Sequence, residues 1–278
     1  MTGKGDVPRR VVFDGDWLRA EIFGEDSRRL FVTFDHRQVG KRDFIPADPV
    51  KRVVEAGWAN LKIMSRRNDW FINAETAELE RSLAAVASGF SRVNGLGYSM
   101  GGYGVFRFAK CLNMSSAIAV SPQMSVSPKT VPWDSRFYED APDFDQKLGD
   151  LSSRAHDGLN ALILIDSFHR KDLRHAKEIA ALFPESSLLK LGFSGHPATR
   201  VINRGRRSGI LLRQAMNNRP DPAPIRKAFR ETRVKSPAYW KALARKAEGK
   251  HDAIFRHAMK ELSLLQPKSG VLSLFGRK

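Results

Sequence analysis

The stretch that decides the fold is NGLGYSMGGYG, residues 94–104, a glycine-rich segment with Ser99 between Gly97 and Gly101 in a G-x-S-x-G pattern. A β-forming run, residues 91–97, precedes it, and a helical run, residues 104–113, follows it. Strand, tight turn and helix form the context in which a serine is raised out of a sheet, because glycines two positions before and after it leave room for the turn. A dinucleotide-binding loop needs G-x-G-x-x-G near the first strand, and a phosphate-binding P-loop needs Gly-Lys-Ser/Thr, so both are disfavoured. The stretch therefore predicts a nucleophilic Ser99.

The chain around this stretch alternates between β-forming and helical runs. Alternation favours parallel strands joined by crossover helices, and the DGD turn between the first two β-runs indicates an antiparallel hairpin. We predict an α/β fold with a mostly parallel eight-stranded sheet, helices on both faces and a helical hairpin at the C-terminus. The strands are predicted at residues 9–15, 17–24, 28–37, 59–65, 91–97, 115–121, 159–167 and 186–193.

The predicted domain organisation has two parts. Residues 1–218 form the α/β domain, and the irregular segment 122–158 is a candidate cap over the site. Residues 219–278 form a basic helical extension, with 15 Lys and Arg against 5 Asp and Glu. The whole chain has a formal net charge of +17. Such a tail could meet an acidic polymer, but no recognition motif accompanies the charge, so nucleic-acid binding is disfavoured.

A nucleophilic serine needs a base and an acid that orients the base. His196, in GFSGHP after the last predicted strand, is the predicted base. The acid is expected after the penultimate strand, where Asp166 and Asp172 are the candidates. We prefer Asp166, because a carboxylate at the end of a buried strand needs a partner, whereas Asp172 could simply cap its helix. His169 and His175 are expected at the surface.

The oxyanion that forms during acyl transfer needs two backbone amides. The first candidate is the amide of Met100, directly after the serine. The second is expected after the third strand, from Phe34 or Asp35, with the neighbouring His36 at the rim of the pocket. Aromatic side chains are candidates for substrate contacts. They are Tyr98, Trp70 and Trp133.

Taken in order, GLGYSMGGYG, LILID and GFSGHP resemble the α/β-hydrolase superfamily over residues 9–218. Within it, SMGG and AVSPQMSV are similar to poorly characterised bacterial esterases and hydrolases. The resemblance implies acyl-enzyme chemistry without a cofactor or metal, most simply on a carboxylic ester of a small molecule or saccharide. An acyltransferase with the same triad, and a non-catalytic protein that binds through the basic tail, are the alternatives.

The chain carries no sign of a membrane or an oxidising compartment. It has one cysteine, Cys111, and no apolar run long enough to span a bilayer. Its first residues lack the apolar segment of a secretion signal. We expect a cytoplasmic protein, whereas the substrate and the oligomeric state are left open by the sequence.

Overall fold

The computed structural model describes residues 7–265. The predicted domains also include residues 1–6 and 266–278, and this part of the prediction lies outside the described residues. Eight strands form one sheet, as predicted. They are β1 (Arg9–Asp14), β2 (Leu18–Phe23), β3 (Arg29–Phe34), β4 (Ala59–Ser65), β5 (Arg92–Tyr98), β6 (Ser116–Val120), β7 (Asn160–Ile165) and β8 (Ser187–Lys190).

The sheet has the order β1-β2-β4-β3-β5-β6-β7-β8. The strand β2 is antiparallel to both of its neighbours, β1 and β4, and every other pair is parallel. The mostly parallel sheet that begins with an antiparallel hairpin is therefore confirmed. Because parallel strands end at the same edge, the loops after β3, β5, β6, β7 and β8 meet there.

Helices cover both faces of this sheet. One buried cluster packs side chains of the second to fourth helices against the sheet, and the other packs the first and the last five helices against the opposite face. The helices are α1 (Lys51–Glu55), α2 (Thr76–Ala87), α3 (Met100–Phe108), α4 (Arg170–Leu182), α5 (Arg200–Arg204), α6 (Gly209–Ala215), α7 (Pro222–Arg233), α8 (Pro237–Ala247) and α9 (Asp252–Leu265).

The C-terminal helices are part of the second buried cluster. Ile225 and Phe229 of α7, Trp240 of α8 and Leu262 of α9 are all buried in it together with sheet residues. The apolar faces of these helices thus cover the sheet and each other. The charged side chains are left on the outside, because burying them without partners would be costly.

The segment 122–158 follows β6 and contains two short 3₁₀ turns, Ser135–Phe137 and Ser152–Arg154. Its aromatic side chains anchor it to the body. Phe137 packs on Trp70 with ring centroids 5.1 Å apart. The hydroxyl of Tyr103, on α3, donates a hydrogen bond of 2.9 Å to the carbonyl of Gly149. None of the helices in residues 7–265 has the length and apolar character needed to cross a membrane.

Candidate active site

Ser99 stands at the turn between β5 and α3. Its backbone has φ +50° and ψ −116°, a strained conformation for a residue with a side chain. A Cβ on Gly97 would collide with the carbonyl of Gly101, and a Cβ on Gly101 would lie 2.8 Å from the carbonyl oxygen of Asp35. Glycine is required at both positions because the turn brings backbone into direct contact with backbone. The sequence prediction of a tight turn around Ser99 agrees with this geometry.

Ser99, His196 and Asp172 form a continuous hydrogen-bonded chain. The Ser99 hydroxyl lies 3.0 Å from Nε2 of His196, and Nδ1 of His196 donates a hydrogen bond of 2.6 Å to Oδ2 of Asp172. Ser99 is 7% exposed, and the His196 side chain is 23% exposed. The serine is therefore nearly enclosed, while one side of the imidazole faces solvent.

The preference for Asp166 as the partner of His196 is corrected by this geometry. Asp166 is buried, as the sequence suggested, but its partners are backbone amides. Its Oδ1 accepts hydrogen bonds from the amides of Phe168 and Phe193 at 2.9 and 3.0 Å, and its Oδ2 accepts one from Gly195 at 2.8 Å. The carboxylate thereby fixes the loop that carries His196 rather than the imidazole itself.

Asp172 was also expected to cap its own helix, and it does not. The residue at the N-cap of α4 is His169, whose Nδ1 accepts a hydrogen bond of 3.2 Å from the amide of Asp172. Asp172 lies in the first turn of α4, with its side chain fully buried. Its carboxylate is thus free of capping and directed to His196.

The environment of Asp172 keeps its carboxylate ionised. Burial by itself would raise its pKa, but the contacts of the carboxylate with His169 and His196 and the charges of His196 and Arg136 outweigh burial. The pKa of Asp172 is consequently held far below its usual range. An ionised carboxylate at this position orients the imidazole and stabilises it when it becomes protonated.

Arg136, in the first 3₁₀ turn of the segment 122–158, donates a hydrogen bond to the other carboxylate oxygen of Asp172. Its Nη2 lies 2.8 Å from Oδ1 of Asp172 and 2.6 Å from Oδ2 of Asp134. Asp134 is in turn bound by Nε2 of the buried His175 at 2.9 Å and by Nζ of Lys171 at 3.2 Å. The result is a buried network that joins the segment 122–158 to α4.

His169 and His175 were expected at the surface. The side chain of His169 is 31% exposed while it also contacts the network, whereas His175 is not at the surface. His175 is fully buried, and its Nδ1 accepts a hydrogen bond of 3.1 Å from the amide of Met124. Burial lowers the pKa of His175, although Asp134 opposes the shift. No sequence pattern predicted a role for Arg136 or Asp134, because they lie in an irregular segment without periodicity.

The three oxyanion candidates differ in whether their backbone amides already donate a hydrogen bond. Met100 is the first residue of α3, where the amide has no partner within the helix. The amide of Asp35 is occupied, because it donates a hydrogen bond of 3.0 Å to the carbonyl of Ile63 on β4. Phe34 is the last residue of β3 and remains part of the sheet. The Asp35 candidate is therefore corrected.

The aromatic candidates are placed differently from one another. Tyr98 directly precedes Ser99, and burial raises its pKa to about 12. Trp70 is fully buried behind Phe137, whose ring centroid lies 6.5 Å from that of His196. Trp133 packs on α4, with its ring centroid 4.4 Å from that of His175. Phe137, for which the sequence predicted no role, thus lies near His196, whereas the candidate Trp70 is fully buried and contacts Phe137.

Two cavities of the described residues are lined by residues far along the chain from Ser99. Two adjoining cavities of about 720 and 460 Å³ share Arg206, Arg207 and Glu231 on the outer side of α5–α7. Within residues 7–265, no group of three or more His, Cys, Asp and Glu side chains is arranged to hold a metal ion.

Similarity to known proteins is limited to the fold. No family model and no curated protein matches the chain. Among solved structures, it is similar to the capsule O-acetyltransferase of Neisseria meningitidis serogroup A, with a TM-score of 0.51 and 14% identity over 74% of this chain and 93% of that chain. It is also similar to the Pyrococcus furiosus esterase Pf2001, with a TM-score of 0.48 and 13% identity over 76% and 93% of the two chains. The protein has the α/β-hydrolase fold, as the sequence resemblance implied.

Proposed function

We propose that this protein is a serine hydrolase that cleaves a carboxylic ester or a related acyl bond through an acyl-enzyme on Ser99. The observation that carries the proposal is the hydrogen-bonded chain from Ser99 through His196 to Asp172. A serine hydroxyl is a weak nucleophile unless a neighbouring base takes its proton, and the base needs a group that holds it in the right tautomer. Fold similarity alone would not support this function, because one fold serves many activities.

In the proposed reaction, the Ser99 oxygen attacks the acyl carbonyl while its proton passes to Nε2 of His196. Asp172 stabilises the imidazolium that results. His196 then gives the proton to the leaving oxygen as the bond to it breaks, which leaves the acyl group on Ser99. Water, activated by His196, releases the acid and restores the hydroxyl. A hydroxyl acceptor in place of water would make the same intermediate serve an acyltransferase.

The amide of Met100 is the first proposed oxyanion donor. The second follows from the alternation of N–H groups along a strand. Since the amide of Asp35 donates to β4, we infer that the amides of Phe34 and His36 face the other side, toward β5 and Ser99. Phe34 is still inside β3, so the amide of His36, the second residue beyond the strand, is the better donor. Tyr98 and Phe137 are the proposed walls of the acyl site.

A fluorophosphonate probe tests the nucleophile, because it reacts covalently with activated serines. We expect labelling of the wild type at Ser99, shown by peptide mass spectrometry, and none of the Ser99→Ala variant. Ser194→Ala is a matched control, because Ser194 is also buried and lies on the loop before His196. Labelling that is absent from the wild type, or equal in Ser99→Ala, would refute the proposal. Esters of varied acyl chain, sugar esters and acyl thioesters then define the substrate, with and without hydroxyl acceptors.

One further observation favours binding of an anionic polymer as a second function. The two adjoining cavities form a basic groove whose charged lining consists of seven cations and one carboxylate, Glu231. Among the described residues, Arg207 alone of these cations pairs with a carboxylate, at 3.3 Å from Glu231. Concentrated like charge is unfavourable for folding and attracts polyanions. The cations are Arg52, Arg204, Arg206, Arg207, Arg213, Lys227 and Lys235.

The test separates binding of a polyanion in the groove from binding that the overall positive charge of the protein would cause anywhere on its surface. We expect heparin oligosaccharides to bind the wild type with a strong dependence on salt. Neutralising Arg204, Arg206 and Arg207 to Gln should weaken binding at least about tenfold, since three ion contacts are lost. A control that neutralises three exposed cations elsewhere, on and after α8, should bind like the wild type. Equal weakening in both variants would remove the groove as a site. The control changes Arg245, Lys250 and Arg256 to Gln.

A further inference from the structure

We propose that Arg136 is a positioning residue for the triad. It shares the carboxylate of Asp172 with His196 and thereby determines how His196 acts as a base. The inference rests on the proposed function, because it concerns how His196 acts as a base. It goes beyond that function because Arg136 belongs to the segment 122–158. That segment then contributes to the chemistry of Ser99, His196 and Asp172 and is more than a candidate cap.

The geometry of Asp172 is the first support. One of its oxygens receives His196 at 2.6 Å, and the other receives Arg136 at 2.8 Å. Asp172 is fully buried, so solvent does not reach the second oxygen. A buried carboxylate oxygen without a partner is costly, and Arg136 satisfies it with a charged hydrogen bond.

The anchoring of Arg136 is the second support. Its Nε and Nη2 donate hydrogen bonds of 2.8 and 2.6 Å to the carboxylate of Asp134, and its Nη1 lies 3.4 Å from Nε2 of His169. Asp134 is itself buried and is held by His175 and Lys171. The guanidinium therefore has one fixed position, and its fork allows it to join two carboxylates at once, which the ammonium of a lysine cannot do in the same geometry.

The charges around His196 determine the sign of the effect. Two carboxylates, Asp134 and Asp172, are balanced by Arg136 and Lys171, so His196 faces a nearly neutral cluster rather than a lone carboxylate. Removing Arg136 would leave the negative charge of Asp172 uncompensated beside His196, and an uncompensated carboxylate favours the imidazolium over the neutral base. The groups that face His196 or Asp172 are Ser99 after β5, Arg136 in the segment 122–158 and His169 before α4, with Asp134, Lys171 and His175 behind them. The Arg37–Asp140 pair lies beside the same Phe137 ring.

The test is the pH profile of kcat/KM for an activated ester, whose acidic midpoint reports the base of the free enzyme. For Arg136→Gln we expect the midpoint to rise by about one pH unit, because the imidazolium would then face a carboxylate whose charge is no longer shared with a guanidinium. Asp134→Asn should move the midpoint in the opposite direction, because it leaves Arg136 less neutralised. Arg136→Lys should keep the midpoint near that of the wild type while lowering kcat, since charge is retained and the bridge is lost.

The matched control is Arg37→Gln. Arg37 also pairs with a carboxylate of the same segment, at 2.6 Å from Asp140, and lies over the Phe137 ring, but its ion pair does not include Asp172. We expect its midpoint to match the wild type. Midpoints unchanged in both Arg136→Gln and Asp134→Asn would overturn the inference while the wild type stays active. A wild type without serine labelling would instead overturn the proposed function. Because the two substitutions act in opposite directions, failure of one variant to fold leaves the other as a test.

Discussion

Replacing Asp172 with Asn is the perturbation that most directly separates the two candidate acids. Asn is nearly the same size, but it has one acceptor oxygen for the two donors, Arg136 and His196, so with its oxygen on Arg136 its NH₂ group faces Nδ1 of His196. In a serine triad, this change leaves the imidazole in the wrong tautomer and lowers kcat by about 10⁴-fold. That factor corresponds to about 5.4 kcal/mol of lost transition-state stabilisation.

The comparison variant is Asp166→Asn, which should behave in the opposite way. Three backbone amides donate hydrogen bonds to Asp166 and thereby hold the loop of His196. An Asn at this position keeps one acceptor oxygen but presents an NH₂ group where the other oxygen accepted a hydrogen bond. We expect a loss of about 1–3 kcal/mol in the free energy of unfolding, because a buried donor is left without an acceptor. The loss in kcat should be far smaller than for Asp172→Asn.

Steady-state hydrolysis of an activated ester gives kcat for both variants, and urea unfolding gives their stability. A large loss of kcat in Asp166→Asn, together with near-normal activity in a folded Asp172→Asn, would refute the assignment. It would mean that His196 changes partner when substrate binds, since the hydrogen bonds of the free protein would then not describe the reacting one.

The remaining predictions concern the turn, the thiol and acid stability. Gly97→Ala should abolish activity or folding, because its Cβ would overlap the Gly101 carbonyl, whereas Gly89→Ala, whose Cβ lies 3.5 Å from its nearest neighbour, should change neither measurement. Normal activity in Gly97→Ala would contradict the geometry of the turn. Burial raises the pKa of Cys111 to about 12, so iodoacetamide at pH 8 should label it slowly in the native protein and quickly in urea. Burial lowers the pKa of His175, so below about pH 6.5 the unfolded chain takes up a proton that the folded one does not. The free energy of unfolding should then fall toward pH 5 by up to about 1.4 kcal/mol per pH unit more than in His175→Gln, and equal slopes would contradict this origin.

The sequence was a good guide to the strands and to the turn at Ser99. Hydrophobic runs and their alternation with helical segments are local properties, and they place all eight strands within a few residues of the structure. Helices with a weak pattern were less well predicted. Residues 200–215 form two helices, α5 and α6, rather than one, because Gly205 packs directly against Thr232 and Arg206 takes a left-handed conformation with φ +55°. Both features depend on where α7 lies.

The choice between Asp166 and Asp172 shows why the candidate site was only partly predictable. Both residues follow β7, and the sequence reasoning that a buried carboxylate needs a partner was correct for each of them. Whether the partner is a backbone amide or an imidazole depends on where the loop of His196 folds back, which is a long-range property. Arg136 and His175 carried no signal at all for the same reason.

By itself, the sequence determined the fold class, the position of Ser99 at a strand–helix turn and the pairing of that serine with His196 as the expected base. These features follow from local periodicity, glycine spacing and chain order. Only the tertiary structure decided that Asp172 contacts the imidazole, that Asp166 holds the loop instead, and that Arg136 joins the segment 122–158 to Asp172. Side chains from segments tens of residues apart meet there because parallel strands end at one edge of the sheet, and no local pattern records which of them come within hydrogen-bonding distance.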